Sequence, residues 1–276
     1  MKKLLVIILL ATTVLSSCND ETLTRDEKIS EENNYSSKKG DHAGARLSNA
    51  VPFGVNLAGG EFGPSNGVYG THYIYPNSSE LDYYKSKGLN LIRLPFKWER
   101  LQPVINGALD SAEVARVRTV VDEAHARDMM IILDCHNYGR RKVNGTNFII
   151  GSPEVPIQAL KDFWTRMAEA FKTKKEKKSN IWAYDIMNEP HDMLASPSWF
   201  DIAQETINGI RSTDPNTNIL VSGDGWSNAG IFGIPGSRSD VLKNLTDPSD
   251  KLIFQAHVYF DKNSSGTYQG SYDTEA

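Results

Sequence analysis

Arg93, His136, Asn188 with Glu189, Trp226, and His257 with Tyr259 each stand at or just beyond the end of an apolar run in this 276-residue sequence. A carboxyl group, two imidazoles and a guanidinium brought to one place can move protons, because His and Glu titrate within reach of neutral pH once their surroundings shift them. Taken singly, the same residues have plainer uses. A Glu at a strand end can cap a helix or form a salt bridge, a His can sit satisfied in a core, and an Arg can be a structural ion-pair partner. His136, His257 and Glu189 could also be read as metal ligands, but the closely spaced His motifs of metal sites are missing, so neither a metal nor an organic cofactor is expected.

The runs that would position these groups alternate with segments of helical period. Strands are expected at 51–57, 89–95, 129–135, 181–187, 218–222 and 252–257. Between them, Leu81, Tyr84 and Lys87 lead to a stop at Gly88, and Asp110 with Glu113 marks a helix start before Val114, Val117, Val121 and Ala124. Leu160, Trp164, Met167 and Phe171, then Ile202, Thr206, Ile207 and Ile210, complete the helical faces. Continuous apolar strands separated by helices indicate a parallel sheet covered on its outer face. Polar groups at the ends of several different strands favour an α/β fold of the (β/α)8 TIM-barrel type over a doubly wound sheet, which would concentrate function at one switch point. About six of the eight βα units are expected in this chain.

The ordered motifs Gly54-Val55-Asn56-Leu57-Ala58-Gly59, Ile92-Arg93-Leu94-Pro95-Phe96, Asp134-Cys135-His136-Asn137-Tyr138, Asn188-Glu189-Pro190-His191 and His257-Val258-Tyr259 resemble those of glycoside hydrolase family 5, in its endo-β-1,4-glucanase (cellulase) branch. The resemblance covers about 53–260. It implies a retaining β-glycanase in which Glu189 is the proton donor and Asn188 hydrogen-bonds the sugar 2-hydroxyl, a contact that strengthens in the transition state. It further implies that Arg93 supports the nucleophile, that Tyr259 contacts it, and that His136 and His257 line the subsite where the bond breaks. Tyr138 and Trp226 are candidate substrate contacts, Trp226 as a flat platform for a sugar ring. Trp98 is a weaker candidate, Trp164 and Trp182 fit core periodicities, and Trp199 fits a helix start. His191 shares the loop without an assigned role.

An acid that works near neutral pH needs a raised pKa, through burial or a neighbouring carboxylate. The family's nucleophile lies at the end of strand seven, and the sequence stops soon after strand six. Glu275 follows a polar, glycine-containing stretch and reads as a loop residue. A longer product is therefore expected, with this chain inactive alone. Other glycanases (mannanase, xyloglucanase, β-1,3-glucanase) use the same barrel, and a surface lipoprotein that binds glycans without cleaving them is the alternative from a different class.

Lys2-Lys3 followed by an apolar run to Leu15 reads as a signal peptide over 1–17. Leu15-Ser16-Ser17-Cys18 resembles the lipobox of bacterial lipoproteins, so Cys18 is the expected lipidation site and membrane anchor, with the chain exported to the periplasm or cell surface. Cys135 alone then remains, and no internal disulfide can form. Residues 18–50 are polar and charged and read as a flexible tether, and 51–276 as the catalytic domain. The formal charge of −4 argues against nucleic acid and leaves neutral polysaccharides open as partners. A monomer is expected.

Overall fold

The computed structural model describes residues 3–6, 52–174 and 179–271. The signal and tether expectations, Cys18 and Glu275 fall outside these residues, apart from Lys3–Val6.

The first strand, β1 (Lys3–Val6), is followed by β2 (Gly54–Asn56) and α1 (Ser78–Ser86). Asn77 caps α1 by accepting from Ser79 and Glu80 N–H while Glu80 returns to the Asn77 N–H, and Gly88 ends the turn at φ +82°. Next come β3 (Leu91–Phe96), the short α2 (Trp98–Leu101) and α3 (Ser111–His125). Asp110 caps α3 by accepting from the Glu113 N–H at 2.8 Å, but the Glu113 carboxylate turns away to accept from Tyr73 and Tyr75. After β4 (Met130–Cys135) the chain makes an antiparallel hairpin, β5 (Arg140–Val143) and β6 (Thr146–Ile149). Its two-residue turn is Asn144-Gly145, both at positive φ, as a tight hairpin requires. Then follow α4 (Ile157–Phe171), β7 (Ile181–Asp185), α5 (Trp199–Arg211), β8 (Asn218–Ser222), a 3-10 turn at Asp240–Asn244, and β9 (Leu252–Ala256).

All strands of the main sheet are parallel, in the order β1-β9-β8-β7-β4-β3-β2. From β2 to β9 this is the sequential neighbour order of a βα barrel, present as an open part of one. Lys3–Val6, inside the stretch read as an export signal, lies along β9, with Lys3 opposite Ile253 and Val6 opposite Ala256. The open edge of β9 offers unpaired N–H and C=O groups, which an extended segment can satisfy.

Side chains alternate across the strands, and the two faces differ. Outward, Ile92, Leu94, Ile131, Leu133, Tyr184, Ile219, Val221 and Phe254 join the buried residues of α3, α4 and α5, including Trp164, in one large apolar core. Inward, Leu91, Met130, Ile132, Ala183 and Leu220 form a small separate cluster with Trp182 and Ile253. Trp98 is fully buried, beneath the Arg141 guanidinium, and belongs to the core. Trp199 opens α5 and donates its indole N–H to the Ser222 carbonyl at 2.8 Å. No helix among the described residues is long and apolar enough to cross a membrane.

Candidate active site

Toward the C-terminal ends of the strands the inward positions change from apolar to polar or charged: Arg93 on β3, Asp134 on β4, Asp185 on β7, Gln255 on β9. Arg93 is the hub. Its Nε and Nη2 donate to Asp185 Oδ2 at 3.0 and 2.8 Å, Nη2 also reaches Asn188 Oδ1 at 2.8 Å, and Nη1 reaches Asn56 Oδ1 at 3.0 Å and Asp134 Oδ2 at 2.9 Å. Burial would lower the Arg93 pKa, but the two carboxylates outweigh it and hold the guanidinium charged. Asp134 is pushed up by burial yet ends below the ordinary carboxylate value because Arg93 and His136 favour its anion. Asp185 goes the other way, since burial and the nearby Asp134 charge outweigh Arg93.

Beyond β7 the Asn188 N–H still donates to the Cys135 carbonyl at 2.9 Å, so the loop that follows starts from a fixed point. Glu189 is buried and sits at φ +41°, a region that costs a non-glycine residue energy and recurs at functional sites. Its Oε1 lies 2.5 Å from His257 Nδ1 and accepts from the Tyr259 hydroxyl at 2.9 Å. Burial alone would raise the Glu189 pKa. The hydrogen bonds from His257 and Tyr259 outweigh it and leave the carboxyl below its ordinary value. The raised pKa expected of a proton donor is thus not found in this arrangement, because the carboxylate is doubly hydrogen-bonded in its charged form.

His136 Nδ1 lies 2.6 Å from Asp134 Oδ2 and its Nε2 lies 3.1 Å from the Tyr138 hydroxyl. Tyr138 is at φ +55°, and its hydroxyl is pushed up to about 12 by burial and by the Glu189 and Asp134 charges. Trp226, 48% exposed, stacks face to face on His191, with centroids 3.5 Å apart and planes 8° apart. The N–H groups of Gly225 and Trp226 both donate to the Pro190 carbonyl, at 3.0 and 3.1 Å, which ties the Trp226 turn to the Glu189 loop.

These groups meet in a cleft of about 850 Å³ whose wall includes His136, Tyr138, Glu189, His191, Trp226 and Tyr259. Arg93, Asn188 and His257 stand behind the wall. Sequence reasoning missed Lys97, Glu99, Arg140, Lys142 and Asn147, which also line the cleft. Three of them come from the β5–β6 hairpin, and the Asn-Gly pair at its turn was the available signal. It also missed Asp134, Asp185 and Gln255, each a polar interruption of an apolar run. Glu99, the other carboxylate on the wall among the described residues, is occupied on both oxygens, by the Lys142 N–H at 2.6 Å and Asn137 Nδ2 at 2.9 Å. Arg93 and Tyr259, implied to attend a nucleophile, here contact Asp134, Asp185 and Asn188, and Glu189, respectively. No group of three or more His, Cys, Asp and Glu side chains among the described residues could hold a metal ion.

The family model Cellulase (glycosyl hydrolase family 5) matches residues 48–276. A probable endo-β-1,4-glucanase B of Neosartorya fischeri is 35% identical over 226 residues, covering 80% of this chain and 64% of the relative. Endo-β-1,4-glucanase B of Aspergillus niger is 35% identical over 217 residues, covering 78% of this chain and 60% of the relative. Among solved structures, Pseudomonas stutzeri endoglucanase Cel5A superposes with a TM-score of 0.69 at 37% identity, over 80% of this chain and 66% of that one. XacCel5A in complex with cellopentaose gives 0.70 at 39%, over 78% and 67%. The chain spans about three-fifths of the length of these two curated relatives. It belongs to glycosyl hydrolase family 5, the cellulase family.

Proposed function

We propose, from that membership, that the protein is a retaining endo-β-1,4-glucanase that hydrolyses internal bonds of cellulose-like or mixed-linkage β-glucans, with Glu189 as proton donor and later as base. The observation that carries this reading is the placement of Glu189: buried at a strand end, on the wall of an open cleft, and held by His257 and Tyr259. In a retaining mechanism the donor protonates the leaving oxygen while a second carboxylate about 5–5.5 Å away attacks the anomeric carbon. A carboxylate at that distance would also raise the Glu189 pKa by like-charge repulsion, and the Tyr259 hydroxyl that now bonds Glu189 would be free to turn toward it.

Asn188 is the proposed partner of the sugar 2-hydroxyl. Its Oδ1 is occupied by Arg93, while its buried Nδ2 has no partner, a spare donor one residue before the acid. Trp226 supplies a platform for a sugar ring, and Tyr138 and His136 extend the wall beside it. The full-length gene product should release reducing sugar from carboxymethyl-cellulose or β-glucan. Glu189→Gln should slow it about 10²- to 10⁴-fold, the range for removing a general acid; undiminished hydrolysis by that variant would refute the assignment. Export, with acylation of Cys18 as the anchor and 18–50 as the spacer, belongs to the same proposal. Incorporation of radiolabelled palmitate that survives in the parent and vanishes in Cys18→Ala is the expected result.

A further inference from the structure

His257 has a partner on each ring nitrogen. Nδ1 faces Glu189 Oε1, and Nε2 lies 2.5 Å from the amide nitrogen of Gln255, which also donates to Ser222 Oγ at 3.3 Å. Gln255 and Ser222 are fully buried on the inward face of β9 and β8, and Gln255 Oε1 is a buried acceptor without a partner. An amide nitrogen can only donate, so Nε2 must accept, and the ring proton must then sit on Nδ1 and point at Glu189. That is the arrangement for an ionised Glu189.

We propose that Gln255 is a positioning residue that sets which nitrogen of His257 carries the proton, and thereby whether the Glu189–His257 pair stands in its base or its acid form. When the pair takes up one proton, two arrangements can hold it. Either Glu189 is neutral and donates to Nδ1, with the ring proton on Nε2, or both ring nitrogens are protonated beside an ionised Glu189. Both put a proton on Nε2, and both require an acceptor there. A half-turn of the Gln255 amide brings its unpartnered oxygen to that place. The Gln amide can offer either a donor or an acceptor from one position. When Glu189 then gives a proton to the leaving oxygen, the pair loses one proton, Nε2 becomes an acceptor again, and the amide turns back.

The charged and titratable groups around the pair come from β3, β4, β7 and the segments that follow β4 and β9: Arg93, Asp134 with His136, Asp185, and Tyr138 and Tyr259. None of them reaches Nε2 with a hydrogen bond, which leaves Gln255 as its partner among the described residues.

This inference rests on the reading of Glu189 as the acid/base, so its test begins with a measurement that needs no turnover. Nitrogen-15 spectra of histidine-labelled protein at neutral pH should show the His257 ring with Nδ1 protonated and Nε2 bare. A proton on Nε2 and none on Nδ1 would overturn the proposal even if the enzyme is active. Gln255→Glu, which offers an acceptor only, should place protons on both nitrogens. In the full-length product, Gln255→Met should lower kcat by about 10- to 100-fold, the scale for partners that fix a histidine tautomer, with little change in KM. Gln255→Glu should move the acidic limb of the pH–rate profile. Unaltered profiles and unaltered tautomers in both folded variants would overturn the role, whereas a tautomer shift without any parent turnover would leave the inference standing and sink the hydrolase reading instead.

Discussion

Along β4, the outward side chains Ile131, Leu133 and Cys135 enter a core shared with three long helices, while the inward ones run Met130, Ile132, Asp134 and end in charge. The same division repeats on β7, where Tyr184 points out and Ala183 and Asp185 point in, and on β9, where Phe254 points out and Ile253 and Gln255 point in. One face removes apolar area from water and needs only volume and shape. The other keeps a short apolar floor and spends its upper positions on groups that must be paired to be tolerated at all. Stability and chemistry are thus separated by which side of one strand a residue faces, although the charged layer is itself costly to disturb.

The largest effect should follow from removing the hub of that layer. Arg93→Met leaves Asp134 and Asp185 buried without their cation and should destabilise the fold by about 3–5 kcal/mol in urea unfolding. A loss within the range of a surface substitution would mean that the layer is wetter than its burial indicates. On the outer face, Leu133→Ala should cost about 2–5 kcal/mol through lost transfer energy and a cavity. It should leave the His257 tautomer untouched, and a changed tautomer would show that the two faces are not separable.

Trp226→Ala, at the exposed rim, should stay within about 0.5 kcal/mol of the parent in stability. The same variant should weaken cello-oligosaccharide binding about tenfold, or ~1.4 kcal/mol. Equal losses in both would make Trp226 a structural residue. The smallest effect concerns pH. Because the folded Glu189 pKa lies below its ordinary value, its contribution to stability is complete above about pH 4.3 and is lost as pH falls through the folded value. Glu189→Gln should therefore flatten the acid limb of the stability curve, and an unchanged limb would show that Glu189 is not held as an anion.

The six barrel strands and the helices α1, α3, α4 and α5 were legible because burial on the outer face imposes apolar runs and a helical period, both of which survive in a single sequence. Arg93, His136, Glu189 and His257 were legible as polar residues at run ends. Asp134, Asp185 and Gln255 were not singled out, although each breaks an apolar run at an inward position, because alternation is hard to see where both faces are buried. The β5–β6 hairpin escaped because its strands are only four residues each and its most buried position is held by a charged residue, Arg141, so no apolar alternation stands out. The direction of the Glu189 pKa was beyond reach for a different reason. It is decided by His257 and Tyr259, partners 68 and 70 residues away.

The carbonyl of Pro190 accepts from both Gly225 and Trp226. Proline has no N–H and a nearly fixed φ, so that oxygen is the residue's one polar main-chain group, and it is committed to the neighbouring loop. The consequence is one of inheritance and engineering. The stretch bearing the acid and the stretch bearing the indole behave as a single transplantable module, and a chimera that exchanges either alone should lose register at the other, while one that exchanges both should keep it.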